Sequence, residues 1–164
     1  MRRKNQPKAE NISPLDEKDK IILNTLSKNA RERLTSIAKK VDLSIDSTKK
    51  RIQRMERLGI ITKYTIHVEP SKYGYGFYVH TFIKFKNLSK QRFDQLIDKL
   101  VKNKKVVDVF SMLGMYDLFI VYIGRDKEDF TNFELDIRHE FGDIIDDWMS
   151  MLTTRDYKFE EYAV

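Results

Sequence analysis

The residues of this 164-residue chain that could do chemistry are mostly cations and small polar side chains between positions 39 and 63. Ammonium, amide and hydroxyl groups reach base edges in the major groove of DNA, whereas cationic side chains also pair with phosphates. The candidates for base or groove contacts are Ser47, Lys49, Lys50 and Gln53, together with Ser44 at the start of the same segment. The candidates for phosphate contacts are Lys39, Lys40, Arg51, Arg54, Arg57 and Lys63. These residues predict recognition of nucleic acid; the alternative is a solvated face of an amphipathic helix.

Residue types that support catalysis or metal binding are sparse in the sequence. The chain has no cysteine, which excludes disulfides, thiolate zinc sites, iron–sulfur clusters and a cysteine nucleophile. The histidines His67, His80 and His139 are isolated and lack the short spacing of a helical zinc site. The carboxylates at 146–147 and 160–161 are adjacent pairs, whose side chains diverge and form no catalytic dyad. We therefore expect no metal, no cofactor and no enzymatic activity.

The formal charge of +6 is unevenly distributed along the chain. Residues 1–70 contain 17 Lys and Arg against 9 Asp and Glu, a net +8, whereas residues 71–164 carry −2. Within that second part, residues 106–164 contain 5 basic against 14 acidic residues, a net −9. A basic front and an acidic back indicate two modules with different partners, and nucleic acid is the commonest partner of a basic module.

The basic module has the spacing of three short helices. Apolar residues predict helices over 16–28 and 34–41, and Ser44 is a suitable N-cap for a third helix over 45–58, with Gly59 at its C′ position. The segment 60–68 alternates like an extended strand and ends at Pro70. This order predicts a winged helix-turn-helix over 15–62, preceded by a disordered basic arm over 1–14 and followed by a linker strand and loop over 63–76.

The second module, 77–164, has the order β-α-β-β-α-β of a ferredoxin-like domain, so the fold class is α+β. We predict strands over 77–86, 106–113, 116–123 and 144–154, and helices that begin after Ser89 and Asp126. Residues 77, 79, 81, 83 and 85 are richer in apolar side chains and should face the helices, which leaves Tyr78, His80 and Phe82 on the open face of the sheet. An exposed apolar sheet face predicts a dimer that forms sheet to sheet.

Several motifs fall in the order and spacing of one known family. The chain resembles the Lrp/AsnC family of transcription regulators in the stretches LDEKDKIIL at 15–23, IAKKVDLS at 37–44, RIQRME at 51–56, LGIITKY at 58–64, EPSKYG at 69–74 and GMYD at 114–117. Two positions depart from the family pattern: Asp42 stands where glycine is frequent, and Ile45 where proline is frequent. Aspartate tolerates the left-handed backbone region, so we expect the turn to survive.

The resemblance implies a sequence-specific regulator that binds double-stranded DNA and forms dimers, which associate into tetramers or octamers. It also implies an amino-acid effector site at the hairpin, with the residues Met112, Gly114, Met115, Tyr116 and Asp117. The longest apolar run, 118–123, is far shorter than a membrane helix requires, and the N-terminus is no signal peptide, so we expect a cytoplasmic protein.

Two alternatives use the same modules. The first is a tetrapyrrole (sirohaem) decarboxylase-like enzyme, in which His80 would lie near the open face of the sheet. The second is RNA binding on the sheet, which the acidic balance after residue 106 disfavours.

Overall fold

The computed structural model describes residues 15–155 and residue 157. The predicted arm over 1–14 lies outside the described residues. Along the chain, a first compact unit ends at His67 and a second begins at Val68. The helices are α1 (Glu17–Lys28), α2 (Leu34–Lys40), α3 (Ile45–Arg57), α4 (Lys90–Lys102) and α5 (Lys127–Phe141). The strands are β1 (Phe77–Phe85), β2 (Val106–Ser111), β3 (Leu118–Gly124) and β4 (Ile145–Leu152), and a short 3₁₀ turn spans Pro70–Tyr73.

The three helices of the first unit begin and end where their capping residues allow. Asp16 and Asp19 form a reciprocal capping box at the start of α1, with Asp19 N donating to Asp16 Oδ1 over 2.8 Å. The turn between α2 and α3 contains Asp42 at φ +49°, as expected for a residue that replaces glycine there. Gly59 at φ +70° follows α3, and the Ile60 N–H donates to the Met55 carbonyl, which ends the helix in a Schellman-like turn.

The first unit packs around a small apolar core. Ile22 of α1, Ile37 of α2 and Met55 of α3 are fully buried, and Val41 after α2 joins them. Ile52 and Leu26 pack against this cluster from partly buried positions. The core therefore involves all three helices and leaves the opposite side of α3 to solvent.

The strand that we expect over 60–68 does not form. Residues 62–69 have no regular secondary structure, and the alternating apolar side chains Tyr64, Ile66 and Val68 are 50%, 73% and 55% exposed. An extended segment becomes a strand only when a neighbour supplies ladder hydrogen bonds. The alternation of apolar and polar residues correctly indicates a non-helical segment, but it cannot show whether another strand lies beside that segment.

The second unit is a four-stranded antiparallel sheet in the order β2-β3-β1-β4. This is the ferredoxin-like arrangement predicted from the element order, with strands one and three in the centre. β2 and β3 are each two residues shorter at the hairpin than predicted. The chain bends away there, so that Met112 N–H donates to the Asp117 carbonyl over 2.8 Å while the Asp117 N–H donates to Ile83.

The helix-covered face of the sheet contains the larger core. As predicted, Val79, Thr81 and Ile83 of β1 are buried, and Leu118, Ile120 and Tyr122 of β3 lie beside them. The helices contribute Leu96 and Leu100 from α4 and Phe130, Phe133, Ile137 and Phe141 from α5. Among the described residues, none of the helices combines the length and apolar character needed to cross a bilayer.

Candidate nucleic-acid interface

The outer face of α3 presents most of the predicted base-contacting residues to solvent. Thr48 and Met55 are buried on the inner side of the helix, and the outer side consists of polar and charged residues. Exposed on α3 are Ile45 at its first position and the polar residues Asp46, Ser47, Lys49, Lys50, Gln53, Glu56 and Arg57. A helix with one apolar face packed on two supporting helices and one cationic face open is the geometry that enters a major groove.

Two of the predicted phosphate-binding arginines point instead toward α1. Arg51 Nη1 lies 2.8 Å from Asp19 Oδ1 and 2.7 Å from Asp16 Oδ2, and Arg54 Nη1 lies 3.1 Å from Asp19 Oδ2. Asp19 is only 1% exposed, and its carboxylate lies between the two guanidinium groups. These arginines join α1 to α3. The i, i+3 spacing of Arg51 and Arg54 places them on one side of the helix, which the sequence alone indicates. Their acidic partner, however, lies more than 30 residues earlier in the sequence.

The ion pairs shift the ionisation of the groups involved. The bond from the Asp19 backbone N–H, followed by that from Arg51, lowers the pKa of Asp16. The carboxylates of Asp19 and Asp16 raise the pKa of Arg51. The charged forms of Asp16 and Arg51 are therefore favoured.

The start of α3 is organised by Ser44. Its hydroxyl accepts from the Ser47 N–H over 3.1 Å and donates to the Ser47 hydroxyl over 2.9 Å, so both serines are engaged in the cap. Lys50 pairs with Asp46 one turn earlier, at 2.8 Å. Lys39 and Lys40 are exposed in the last turn of α2, and Lys63 is exposed beyond the end of α3.

The predicted effector residues are divided between the tip and the base of the β2–β3 hairpin. Met112, Gly114 and Met115 are exposed at the tip, where Gly114 has φ +144° and Met115 is 81% exposed. Tyr116 and Asp117 are half-buried at the base. The structure thus places the five residues on one hairpin, in two different environments.

The base of the hairpin is held by hydrogen bonds from two neighbouring strands. Asp117 Oδ2 accepts from the Phe85 N–H over 2.9 Å and Oδ1 accepts from Lys84 Nζ over 3.1 Å, and these bonds lower the pKa of Asp117, the backbone bond most. The Tyr116 hydroxyl donates to Asp147 Oδ2 over 2.9 Å, which raises the pKa of Tyr116. Both side chains therefore have structural partners within this unit.

The open face of the sheet carries a row of large side chains that crosses all four strands. The strand register places Phe110, Phe119, Phe82 and Met149 side by side. The Phe82 and Phe119 ring centroids are 5.0 Å apart, and the Phe110 and Phe119 rings stack at 6.0 Å. His80, the residue considered for the enzyme alternative, lies edge-on to Phe119 at 5.5 Å. In the part of the chain that the structure describes, no group of three or more His, Asp or Glu side chains is arranged to hold a metal ion.

Comparison with known proteins agrees with the helix-turn-helix geometry. A family model described as a winged helix-turn-helix DNA-binding domain matches residues 15–62. The HTH-type transcriptional regulator LrpA of Pyrococcus horikoshii is 35% identical over 118 residues, which cover 72% of this chain and 82% of the relative. The chain belongs to the Lrp/AsnC family of transcription regulators.

Solved structures support the fold of this Lrp/AsnC regulator over nearly its whole length. A transcriptional regulator from Neisseria meningitidis, solved as an L-Met complex, is similar with a TM-score of 0.82 and 22% identity, covering 89% of this chain and 94% of that one. An AsnC-family regulator from Agrobacterium tumefaciens has a TM-score of 0.81 and 23% identity, covering 90% and 96%. As a member of the family shown by the winged helix-turn-helix model and the LrpA relative, the protein is a DNA-binding transcription regulator and not an enzyme.

Proposed function

We propose that this regulator binds specific sites in duplex DNA by inserting α3 into the major groove. The observation that carries the proposal is the exposed face of α3, which lies opposite the buried Thr48 and Met55 on a helix supported by α1 and α2. In this proposal Lys49, Lys50 and Gln53 contact base edges, because their side chains are exposed donors on that face. Ser44 and Ser47 order the first turn of the helix at the groove.

The phosphate contacts are proposed for the cations that flank this face. Arg57, Lys63, Lys39 and Lys40 are exposed at the ends of α2 and α3 or just beyond. Each contact that neutralises a phosphate releases counterions, so each adds about 0.9 to the slope of log affinity against log salt. Arg51 and Arg54 contribute mainly by holding α3 on α1.

Footprinting on the protein's own promoter region, combined with a salt titration, tests the DNA-binding proposal. We expect protection of a defined site, and a Lys50→Ala variant that folds normally but binds more weakly. Protection spread evenly over all sequences, or none at any protein concentration, would show that the proposal is incorrect. Because DNA is the ligand, we propose the cytoplasm of a prokaryotic cell as the site of action.

We further propose that two chains associate through the open faces of their sheets. The supporting observation is the aromatic and methionine row of Phe110, Phe119, Phe82 and Met149, which the helices leave uncovered. Burial of such a row stabilises an isologous dimer, whose two α3 helices would enter the groove roughly 34–36 Å apart. Sedimentation equilibrium should show a dimer or a multiple of it, and Phe119→Asp should shift the mass toward the monomer. A monomeric wild-type protein would contradict this part.

An amino acid or related metabolite is the effector that we propose for the β2–β3 hairpin. The support is the exposed tip with Gly114 and Met115, and the similar Neisseria regulator that was solved with L-Met. A thermal-shift screen of the twenty amino acids, with L-Met among them, tests this idea, because a ligand that binds the native state raises the melting temperature. If no amino acid changes the melting temperature at millimolar concentration, the regulator acts without such an effector.

A further inference from the structure

An acidic side chain lies in the middle of the exposed face of α3. Asp46 and Lys50 are one helical turn apart, and Lys50 Nζ lies 2.8 Å from Asp46 Oδ2. The two side chains are 70% and 74% exposed, on the side of the helix opposite Thr48 and Met55. A carboxylate repels the phosphate backbone. Attraction of phosphates therefore does not explain why an acidic residue stands at position 46.

The same ion pair also stabilises the helix, as i, i+4 pairs do. An equivalent pair, Asp98 with Lys102 at 2.5 Å, lies on α4 in the same order and spacing. Both pairs therefore stabilise their helices. Only the pair of Asp46 and Lys50 lies on the face of α3 that is proposed to meet DNA.

The donor and the acceptor of this pair match the major-groove edge of one base pair. Guanine presents the acceptors O6 and N7, and cytosine presents the N4 amino donor. Guanine O6 and cytosine N4 are hydrogen-bonded to each other, so they are about 2.9 Å apart. The Lys50 ammonium and the Asp46 carboxylate are 2.8 Å apart and are complementary in sign to these two groups.

An A·T pair fits the two side chains less well, although adenine N6 and thymine O4 also place one donor next to one acceptor. Adenine N6 lies beside the acceptor N7, which repels a carboxylate, and thymine O4 lies beside the C5-methyl group, which hinders an ammonium group. Beside cytosine N4 there is only a C–H group, and beside guanine O6 there is a second acceptor for the lysine.

We propose that Asp46 and Lys50 act as one unit that specifies a G·C base pair. Lys50 donates to guanine O6 and N7, and Asp46 accepts from cytosine N4. The inference rests on the proposed function, in which α3 enters the major groove. Because the carboxylate is already paired with Lys50 in the free protein, it enters the groove with its charge compensated and its geometry formed.

The test uses the full-length protein and an operator selected from random duplexes, with every base pair replaced in turn. At one position of each half-site we expect G·C to A·T replacement to weaken wild-type binding roughly 5- to 150-fold. The variants Asp46→Ala and Lys50→Ala should lose most of this preference at that position and keep the preferences at the others.

Base analogues test the same contacts by altering the DNA, so each protein is compared with itself on the natural and on the modified duplex. Replacing the cytosine by 2-pyrimidinone removes the N4 amino group, and replacing the guanine by 7-deazaguanine removes N7. The 2-pyrimidinone duplex should bind the wild type more weakly than the natural duplex does and should bind Asp46→Ala equally well. The 7-deazaguanine duplex should bind the wild type more weakly and should bind Lys50→Ala equally well.

Asp98→Ala and Lys102→Ala are the matched controls, because they break the equivalent ion pair on α4. They should retain every wild-type base preference. Selective binding in which Asp46→Ala and Lys50→Ala keep the full wild-type preference at every position would overturn the inference and leave the proposed function standing. An absence of selective binding by the wild type would remove both.

Discussion

Asp19→Asn should loosen the packing of α1 against α3 more than any exposed charge substitution in the first unit. The wild-type carboxylate is buried and accepts from Arg51 at 2.8 Å and from Arg54 at 3.1 Å. Asparagine keeps the shape but removes the buried counter-charge of both arginines, so that Arg51 keeps only its pair with the more exposed Asp16. Removing one partner of a buried ion pair costs about 3–5 kcal/mol. Because both arginines are about one-third exposed, and water screens them, we expect about 2–4 kcal/mol here.

Hydrogen exchange measured by mass spectrometry is the suitable assay, because the only tryptophan, Trp148, lies in the second unit and does not report on the first. A loss of 2–4 kcal/mol corresponds to exchange of the α1 and α3 amides that is roughly 30- to 700-fold faster, provided that exchange is limited by the opening equilibrium. Amides of α4 and α5 should exchange at the wild-type rate.

Asp46→Asn is the matched control, since it removes an aspartate that pairs with a cation but is fully on the surface. Its effect on α1 and α3 exchange should be small. If Asp19→Asn accelerates exchange no more than this control does, the buried ion pairs do not hold α3 on α1, and the structural role given to Arg51 and Arg54 is wrong.

Three further predictions concern the core, the hairpin and the DNA contacts. Met55→Ala should destabilise the first unit by about 2–5 kcal/mol because the side chain is fully buried, and Ile52→Ala should cost less because that side chain is partly exposed; urea denaturation compares them. The pKa of Asp117 should lie below its unfolded value of about 3.9, because the Phe85 N–H stabilises the carboxylate. The contribution of this carboxylate to the free energy of unfolding is therefore present above the unfolded pKa and is lost as the pH falls through the lowered pKa. Carboxyl-carbon NMR measures the pKa. Arg57→Ala should reduce the salt slope of DNA binding by about 0.9, and an unchanged slope would remove Arg57 from the phosphate contacts.

Much of the fold followed from local patterns. The caps Ser44, Ser89 and Asp126 begin their helices as predicted, because a side-chain acceptor next to an apolar helical repeat satisfies free N–H groups locally. The buried face of β1 was also predictable, since strand side chains alternate and one parity was richer in apolar residues. The exposed, charged face of α3 was also predictable, because the helical repeat of apolar residues within one helix shows which side is buried.

The structure departs from the sequence predictions, or adds partners that the sequence did not reveal, where a residue's environment comes from a distant part of the chain. The segment 60–68 has the alternation of a strand, yet no strand lies beside it in the described structure to complete a ladder. Arg54 has the charge and the helix position expected of a phosphate contact, but its guanidinium group donates to Asp19, which lies 35 residues earlier in the sequence. Asp117 resembles a ligand-binding carboxylate in the sequence, and the fold supplies Phe85 and Lys84 as its donors.

The sequence by itself determined the two modules, their charges, the helix caps and which face of each element is apolar. These depend on interactions within about one helical turn or two strand residues, which the order of residues contains directly. Only the tertiary structure decided which cations of α3 are bound to Asp19 of α1. It also decided that four large side chains from four strands form one row on the open sheet. Both outcomes depend on pairing between segments far apart in the chain, and the free energy of such pairing is set by packing and burial rather than by local pattern.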